Sequence, residues 1–156
     1  MGMDKAAIVR ALVEMADILE IVEANPFQIM AYRNGAQTLE EYDGDLEAAV
    51  RERTLTDLPG IGKGLSAIIS DLLTAGTNLE RDRVLGMVPK GLPELLRVPR
   101  LGPKRVRRLH AELGIDSLET LEAAAREQRL RAMKGFGATT EERILRGIAW
   151  VRQKRS

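Results

Sequence analysis

An all-α fold in two parts is predicted by three features of the sequence. Apolar residues recur at three- and four-residue spacing, no stretch shows the period-two alternation of strands, and turn residues fall at intervals suited to helices of about 8 to 18 residues. Residues 5 to 22 place Ile8, Ala11, Leu12, Met15, Ile18, Leu19 and Val22 on one helical stripe, with acids on the other face. Asn25-Pro26 then supplies a cap and a residue pre-set for a first helical turn, opening a second helix through Phe27, Met30, Ala31, Ala36 and Leu39. Asp43-Gly44-Asp45 reads as a turn and N-cap before a short third helix with Leu46, Ala49 and Val50, rather than as a metal-binding carboxylate pair. Phe27 and Phe136 are expected in the core. A boundary is expected near Gly76-Thr77-Asn78, and Pro89-Lys90-Gly91-Leu92-Pro93 breaks the pattern again, so residues 76 to 92 read as a linker.

Composition excludes several chemistries. The 156 residues include no Cys and one His, which leaves no disulfide framework, no thiolate zinc site, no cysteine nucleophile and too few ligands for a His-based metal centre. No apolar run approaches the roughly 18 to 20 residues of a membrane span, so a soluble, cytoplasmic chain with no membrane partner is expected. His110 and the scattered aromatics Tyr32, Tyr42 and Trp150 suggest neither a catalytic site nor a base-stacking row.

The net charge of +1 conceals a division. Residues 1 to 80 hold 6 Lys/Arg against 14 Asp/Glu, and residues 81 to 156 hold 18 against 9. The second part is thereby suited to a polyanion. Between Leu95 and Ala111 there is no acid, while Arg97, Arg100, Lys104, Arg105, Arg107 and Arg108 fall within twelve residues. Such a cluster by itself is equally compatible with a solvated helix face.

An internal repeat sharpens that reading. Leu58-Pro59-Gly60-Ile61-Gly62, Val98-Pro99-Arg100-Leu101-Gly102 and Met133-Lys134-Gly135-Phe136-Gly137 recur at offsets of 40 and 35 residues. Counting from each last glycine, position −4 is apolar (Leu58, Val98, Met133), as are −1 (Ile61, Leu101, Phe136) and +7 (Ile69, Leu109, Ile144). Each block is a tight hairpin that starts a helix. Helix starts carry unpaired N–H groups and the positive end of the macrodipole, which suits them to anions. Glycine adds close approach and access to positive φ, expected at Gly62, Gly102 and Gly137. Lys63, Lys104 and Arg105 add charge at the first two hairpins. The third, with Gly135 and Gly137, is poorer in charge, and Thr139 with Glu142 reads as a capping box starting the last helix.

The apolar-x-Gly-apolar-Gly pattern is that of helix-hairpin-helix proteins. The order of segments resembles, more specifically, the N-terminal half of a bacterial or archaeal family X DNA polymerase. The similar segments are Pro26 to Ala36, Leu58 to Leu65, Val98 to Val106, Leu113-Gly114-Ile115, Gly135-Phe136-Gly137 and Ile144 to Ile148. The resemblance implies a lyase-type helical domain over residues 1–80 and a fingers, duplex-binding domain over 88–156. It implies non-sequence-specific DNA binding at gaps, nicks or ends, in repair, by a monomer associated with the nucleoid and with further polymerase domains or repair proteins. The phosphate-binding N–H groups would belong to Gly60, Gly62, Lys63 and Gly64, and to Gly102, Lys104 and Arg105. Tyr32 and Arg33 would join Lys63 at a 5′-phosphate, and Arg97, Arg100 and Arg108 would add charge. A sodium or potassium ion would be held, with DNA bound, by the carbonyls of Thr56, Leu58 and Ile61, and of Leu96, Val98 and Leu101. No other cofactor is implied.

Two departures argue against catalysis. Aligning the glycines puts Ile68 where lyase-active relatives have their Schiff-base lysine, and Gln28, Thr56 and Asp57 stand where those relatives tend to have Lys. The palm with its metal-binding aspartates is expected to start after residue 150, where this chain stops, and Arg152 to Ser156 coincides with the family's subdomain boundary. Arg100 stands where the family usually has glycine. Two other readings stay open: an abasic-site lyase using another amine such as Lys63 or Lys5, and a protein-interaction module whose hairpins only pack helices.

Overall fold

The computed structural model describes residues 1–155, so Ser156, the expected end of the second domain, lies outside the described residues. Among these residues every regular element is helical, as the sequence predicts. The chain divides into two compact units, Met1–Met87 and Val88–Ser156.

In the first unit α1 (Lys5–Ile21) begins where the Asp4 carboxylate accepts the Ala7 N–H at 2.8 Å. It pairs with α2 (Pro26–Glu41), capped by Asn25 on the Phe27 N–H at 2.8 Å. The buried face of α1 is Ile8, Ala11, Leu12, Met15, Ala16, Ile18, Leu19 and Ile21, so Ile21 rather than Val22 completes the stripe. On α2 the expected stripe is turned. Tyr32, Gly35, Ala36 and Leu39 are buried, whereas Phe27 is 85% exposed and Met30 also faces solvent. A Cβ at Gly35 would lie 2.2 Å from Cδ2 of Leu65, so the bare backbone lets the Leu65 side chain come close on this side of α2. Asp45 caps α3 (Leu46–Arg51), confirming the turn reading of Asp43-Gly44-Asp45. A 3₁₀ turn (Leu55–Asp57) leads into the first hairpin and α4 (Lys63–Ala75). Gly76 then ends α4 in the left-handed region, but it does not end the unit. Asn78 caps a further helix, α5 (Leu79–Leu85), inside the segment read as a linker, and α5 packs on α1 with Val84 fully buried.

The second unit opens with the short α6 (Leu92–Leu95) and the second hairpin, followed by α7 (Pro103–Leu113). Ser117 and Thr120 form a reciprocal cap on α8 (Leu118–Arg126). A second 3₁₀ turn (Leu130–Ala132) precedes the third hairpin and α9 (Gly137–Arg155). Helix α9 starts at Gly137, so Thr139 and Glu142 lie inside its first turns instead of forming the expected capping box. Phe136 is buried, as predicted. No helix among the described residues is long and apolar enough to cross a membrane.

Candidate nucleic-acid interface

The three hairpins share one backbone design. In each, the N–H at position −1 donates to the carbonyl at −4: Ile61 to Leu58 at 3.2 Å, Leu101 to Val98 at 3.1 Å and Phe136 to Met133 at 3.1 Å. The residue between, at −2, takes positive φ: Gly60 at 78°, Arg100 at 73° and Gly135 at 89°. This is the geometry of a type II turn, with Pro59 and Pro99 at the position proline favours. Positive φ therefore sits two residues before the glycines expected to carry it. Gly62 and Gly102 are extended, with φ of −89° and −87°, and of the three last glycines Gly137 alone is left-handed, at 64°.

The repeat also extends further upstream than the glycines suggest. Position −7 is a buried leucine in all three (Leu55, Leu95, Leu130), and its carbonyl accepts the N–H at −4 in each. With Ile61, Leu101 and Phe136 at −1, and Ile69, Leu109 and Ile144 at +7, these side chains pin each turn to its helix pair. Leu58 departs from the set, being only half-buried.

Hairpins one and two leave their helix starts open. Helices α1, α2, α3, α5 and α8 each have a side chain on their first-turn N–H groups, from Asp4, Asn25, Asp45, Asn78 and Ser117. Helices α4 and α7 start at Gly62 and Gly102 with no side-chain cap. Both glycines are exposed, as are Gly60, Lys63, Gly64 and Lys104. A Cβ at Gly62, Gly64 or Gly102 would meet nothing within 4 Å. The protein's own packing thus gives no reason for glycine there, and the extended φ of Gly62 and Gly102 gives none either. What glycine leaves at these positions is clear approach to the backbone N–H groups. Gly60 needs its glycine for the turn, and Thr38 fixes that turn by donating to the Pro59 carbonyl at 2.8 Å.

The predicted side chains separate into two groups. Arg97, Arg100, Lys104 and Lys63 are exposed, with no acidic partner among the described residues. Arg105 and Arg108 are committed elsewhere. The Arg105 guanidinium donates to the Arg100 carbonyl at 3.2 Å and, more weakly, to that of Gly135 at 3.5 Å. Arg108 donates to the Lys134 carbonyl at 2.7 Å and pairs with Glu112 at 3.0 Å. Both guanidinium groups lie over the Phe136 ring, 5.3 and 5.4 Å from its centroid. They fasten the third hairpin to α7.

Arg33 and Tyr32 are likewise occupied. Arg33 bridges Asp17 at 2.9 Å and Glu20 at 3.0 Å, joining α2 to α1; burial works to lower its pKa, and the two carboxylates together outweigh that and hold it above the usual arginine value. Burial pushes the Asp17 carboxyl up from its ordinary value, and its bond to Arg33 only partly offsets that. Tyr32 is buried, and desolvation together with nearby Glu80 raises its pKa. Both side chains are thus engaged within the first unit. Ile68, at the position matching the Schiff-base lysine, is buried. Of the other amines considered, Lys5 donates to the Tyr42 carbonyl at 2.9 Å, which ties it to the end of α2, and Lys63 is exposed at the start of α4. The carbonyls of Leu58 and Val98 each already close a hairpin, and a carbonyl oxygen keeps a second lone pair for a cation. His110 Nδ1 lies 3.1 Å from the Ile115 carbonyl at the end of α7.

Comparison with known families agrees with this architecture. A helix-hairpin-helix domain family matches residues 3–78, and a SAM-like helix-hairpin-helix tandem family matches residues 92–149. Each unit is thus a helix-hairpin-helix domain. A protein from Bacillus subtilis named DNA polymerase/3′-5′ exonuclease PolX is 34% identical over 146 residues, which is 94% of this chain and 25% of that protein. The chain thus resembles the N-terminal part of a family X DNA polymerase and spans about a quarter of the length of that relative.

Proposed function

We propose that the chain binds DNA through backbone phosphates, without reading base sequence, at gaps, nicks or duplex ends during repair. The observation that carries this reading is the pair of exposed, uncapped helix starts at Gly62 and Gly102, each beside a free cation and open to close approach. An anion there satisfies orphan N–H groups and meets the positive end of a helix dipole. Phosphate contacts position a protein on DNA without specifying a base, which fits a break-recognising module. The first hairpin would take the 5′ side of the break through Gly60, Gly62, Lys63 and Gly64. The second would take the duplex beyond it through Gly102, Lys104, Arg97 and Arg100. Arg105, Arg108, Arg33 and Tyr32 act in this reading as braces for the interface.

A sodium or potassium ion suits the same hairpins. Thr56, Leu58 and Ile61, and Leu96, Val98 and Leu101, would offer hard carbonyl oxygens to it, neutralising charge between a phosphate and the turn. We assign no catalytic residue within residues 1–155: the chain would hold DNA for chemistry supplied by other domains or partner proteins. The buried Ile68 and the tethered Lys5 weigh against a lyase.

Fluorescence anisotropy with a one-nucleotide gapped duplex bearing a 5′-phosphate, an intact duplex and a single strand tests the reading. Tightest binding to the gap is expected. With three or four phosphate contacts, affinity should fall roughly 40- to 150-fold between 50 and 200 mM salt. A salt-independent affinity, or no binding at low salt, would refute it in favour of a protein-interaction module. Borohydride trapping on an incised abasic duplex should leave no covalent adduct.

A further inference from the structure

The second hairpin does not stand alone on its unit, because it rests on α9. A Cβ at Gly147 would lie 2.8 Å from Cγ1 of Val98 and 3.1 Å from Cδ of Pro99, so the missing side chain is what lets the hairpin seat against this helix. At about 100° per residue, Ile144, Ile148 and Val151 fall to one side of Gly147. All three are buried in the core. To the other side fall Arg143, Arg146, Trp150 and Lys154, all exposed.

This flank is chemically distinct from the rest of α9. Arg143 and Arg146 form no ion pair among the described residues, although Glu142 lies next to them on the helix, and Lys154 lies 5.8 Å from the centroid of the Trp150 ring. On the opposite flank Arg152 is neutralised by Glu122 at 2.7 Å. Among the described side chains, the unneutralised cations of α9 are therefore gathered beside the hairpin that carries Arg97, Arg100 and Lys104.

We infer that the phosphate-binding surface of the second unit continues from its hairpin onto α9, with Arg143 and Arg146 contacting DNA backbone phosphates and Trp150 lying beside that backbone. The inference rests on the DNA-binding reading above. It adds a second strip of contacts, so that a strand held at Gly102 is also gripped along a helix that contains no hairpin glycine in its interior. Duplex flanking the break, rather than the break itself, is the element this strip would engage. Trp150, the sole tryptophan, provides an internal reporter.

The test uses the full chain and the gapped duplex, comparing wild type with R143Q/R146Q and with R126Q/R129Q, which removes the same charge from the α8 side of the unit. R143Q/R146Q should bind about tenfold more weakly at 50 mM salt and lower the slope of log K against log salt by about two. The control should retain both values, and DNA should change Trp150 emission in the wild type. Thermal melting should show all three proteins folded, since these arginines are exposed. Unchanged affinity of R143Q/R146Q, or equal weakening by the control pair, would overturn the inference while leaving hairpin binding intact. A wild type that binds none of the DNAs would remove the underlying reading instead.

Discussion

The second and third hairpins take the same turn, yet the second leaves its helix start open to solvent while the third is braced by side chains from within the protein. At the second, the helix starts at an exposed glycine with no side-chain cap, and Arg97, Arg100 and Lys104 project freely. At the third, Arg105 and Arg108 occupy the carbonyls of Gly135 and Lys134 and cover the Phe136 ring. Glu141, 1% exposed, accepts the N–H groups of Leu130 and Arg131 at 3.0 and 3.1 Å and pairs with the Arg131 side chain at 2.8 Å. The corresponding +4 residue is Ser66 at the first hairpin and Val106 at the second. One backbone motif thus leaves an open helix start in one hairpin and carries an internal brace in another, and the side chains around it decide which.

The largest effect should come from breaking the brace. Replacing Phe136 by alanine removes a buried ring and the surface on which two guanidinium groups rest, and should cost about 3–5 kcal/mol. Urea unfolding measures this, and a loss below about 1 kcal/mol would mean that the third hairpin does not hold the unit together. Glu141→Ala should follow, at about 2–3 kcal/mol, because it leaves two backbone N–H groups and the Arg131 side chain without their acceptor. If DNA affinity at a temperature where this variant is still folded fell as steeply as stability, the third hairpin would be an anion site after all.

Much of this was legible in the sequence, and what was not has physical reasons. Apolar periodicity and the glycine-bearing blocks reveal three hairpins, because turns and helix faces are local. The −7 leucines were equally visible, and their identity in all three repeats was the signal that a register anchored on glycine overlooked. Which glycine carries positive φ depends on turn type, and the prolines at Pro59 and Pro99 indicate type II with its left-handed residue next in line. The fate of each cation is not local. Arg105 and Arg108 look like Arg97 and Lys104 in a charge count, and only the fold shows that α7 turns them toward Phe136. The exposure of Phe27 has the same origin, since the face that α2 buries is set by the elements packed on it and no residue near Phe27 in sequence announces it.

The smallest expected effect bears directly on the comparison, because Arg100 is where the second hairpin differs from its two siblings. Among the described residues, three other non-glycine residues have positive φ: Glu23, Arg53 and Gln128. Each follows a helix end, where the N–H one residue further on reaches back into the last turn, from Ala24 to Leu19, Thr54 to Ala49 and Arg129 to Ala124. Such left-handed caps are commonplace. Arg100 has no helix end to stabilise; it holds a hairpin position that Gly60 and Gly135 fill without strain. Arg100→Gly should relieve a left-handed cost of roughly 1–2 kcal/mol, partly offset by glycine's greater freedom in the unfolded chain, for a net gain of up to about 1 kcal/mol. The same change should weaken DNA binding and lower the salt slope by about 0.9, the share of one phosphate contact. Stability and affinity would then move in opposite directions, as expected where strain is kept for function. Arg100→Gln, which keeps the strain and removes the charge, separates the two: it should lose the affinity without gaining stability. If Arg100→Gly raises the melting temperature and leaves affinity and slope untouched, the guanidinium takes no part in binding, and the free charge of the second hairpin reduces to Arg97 and Lys104.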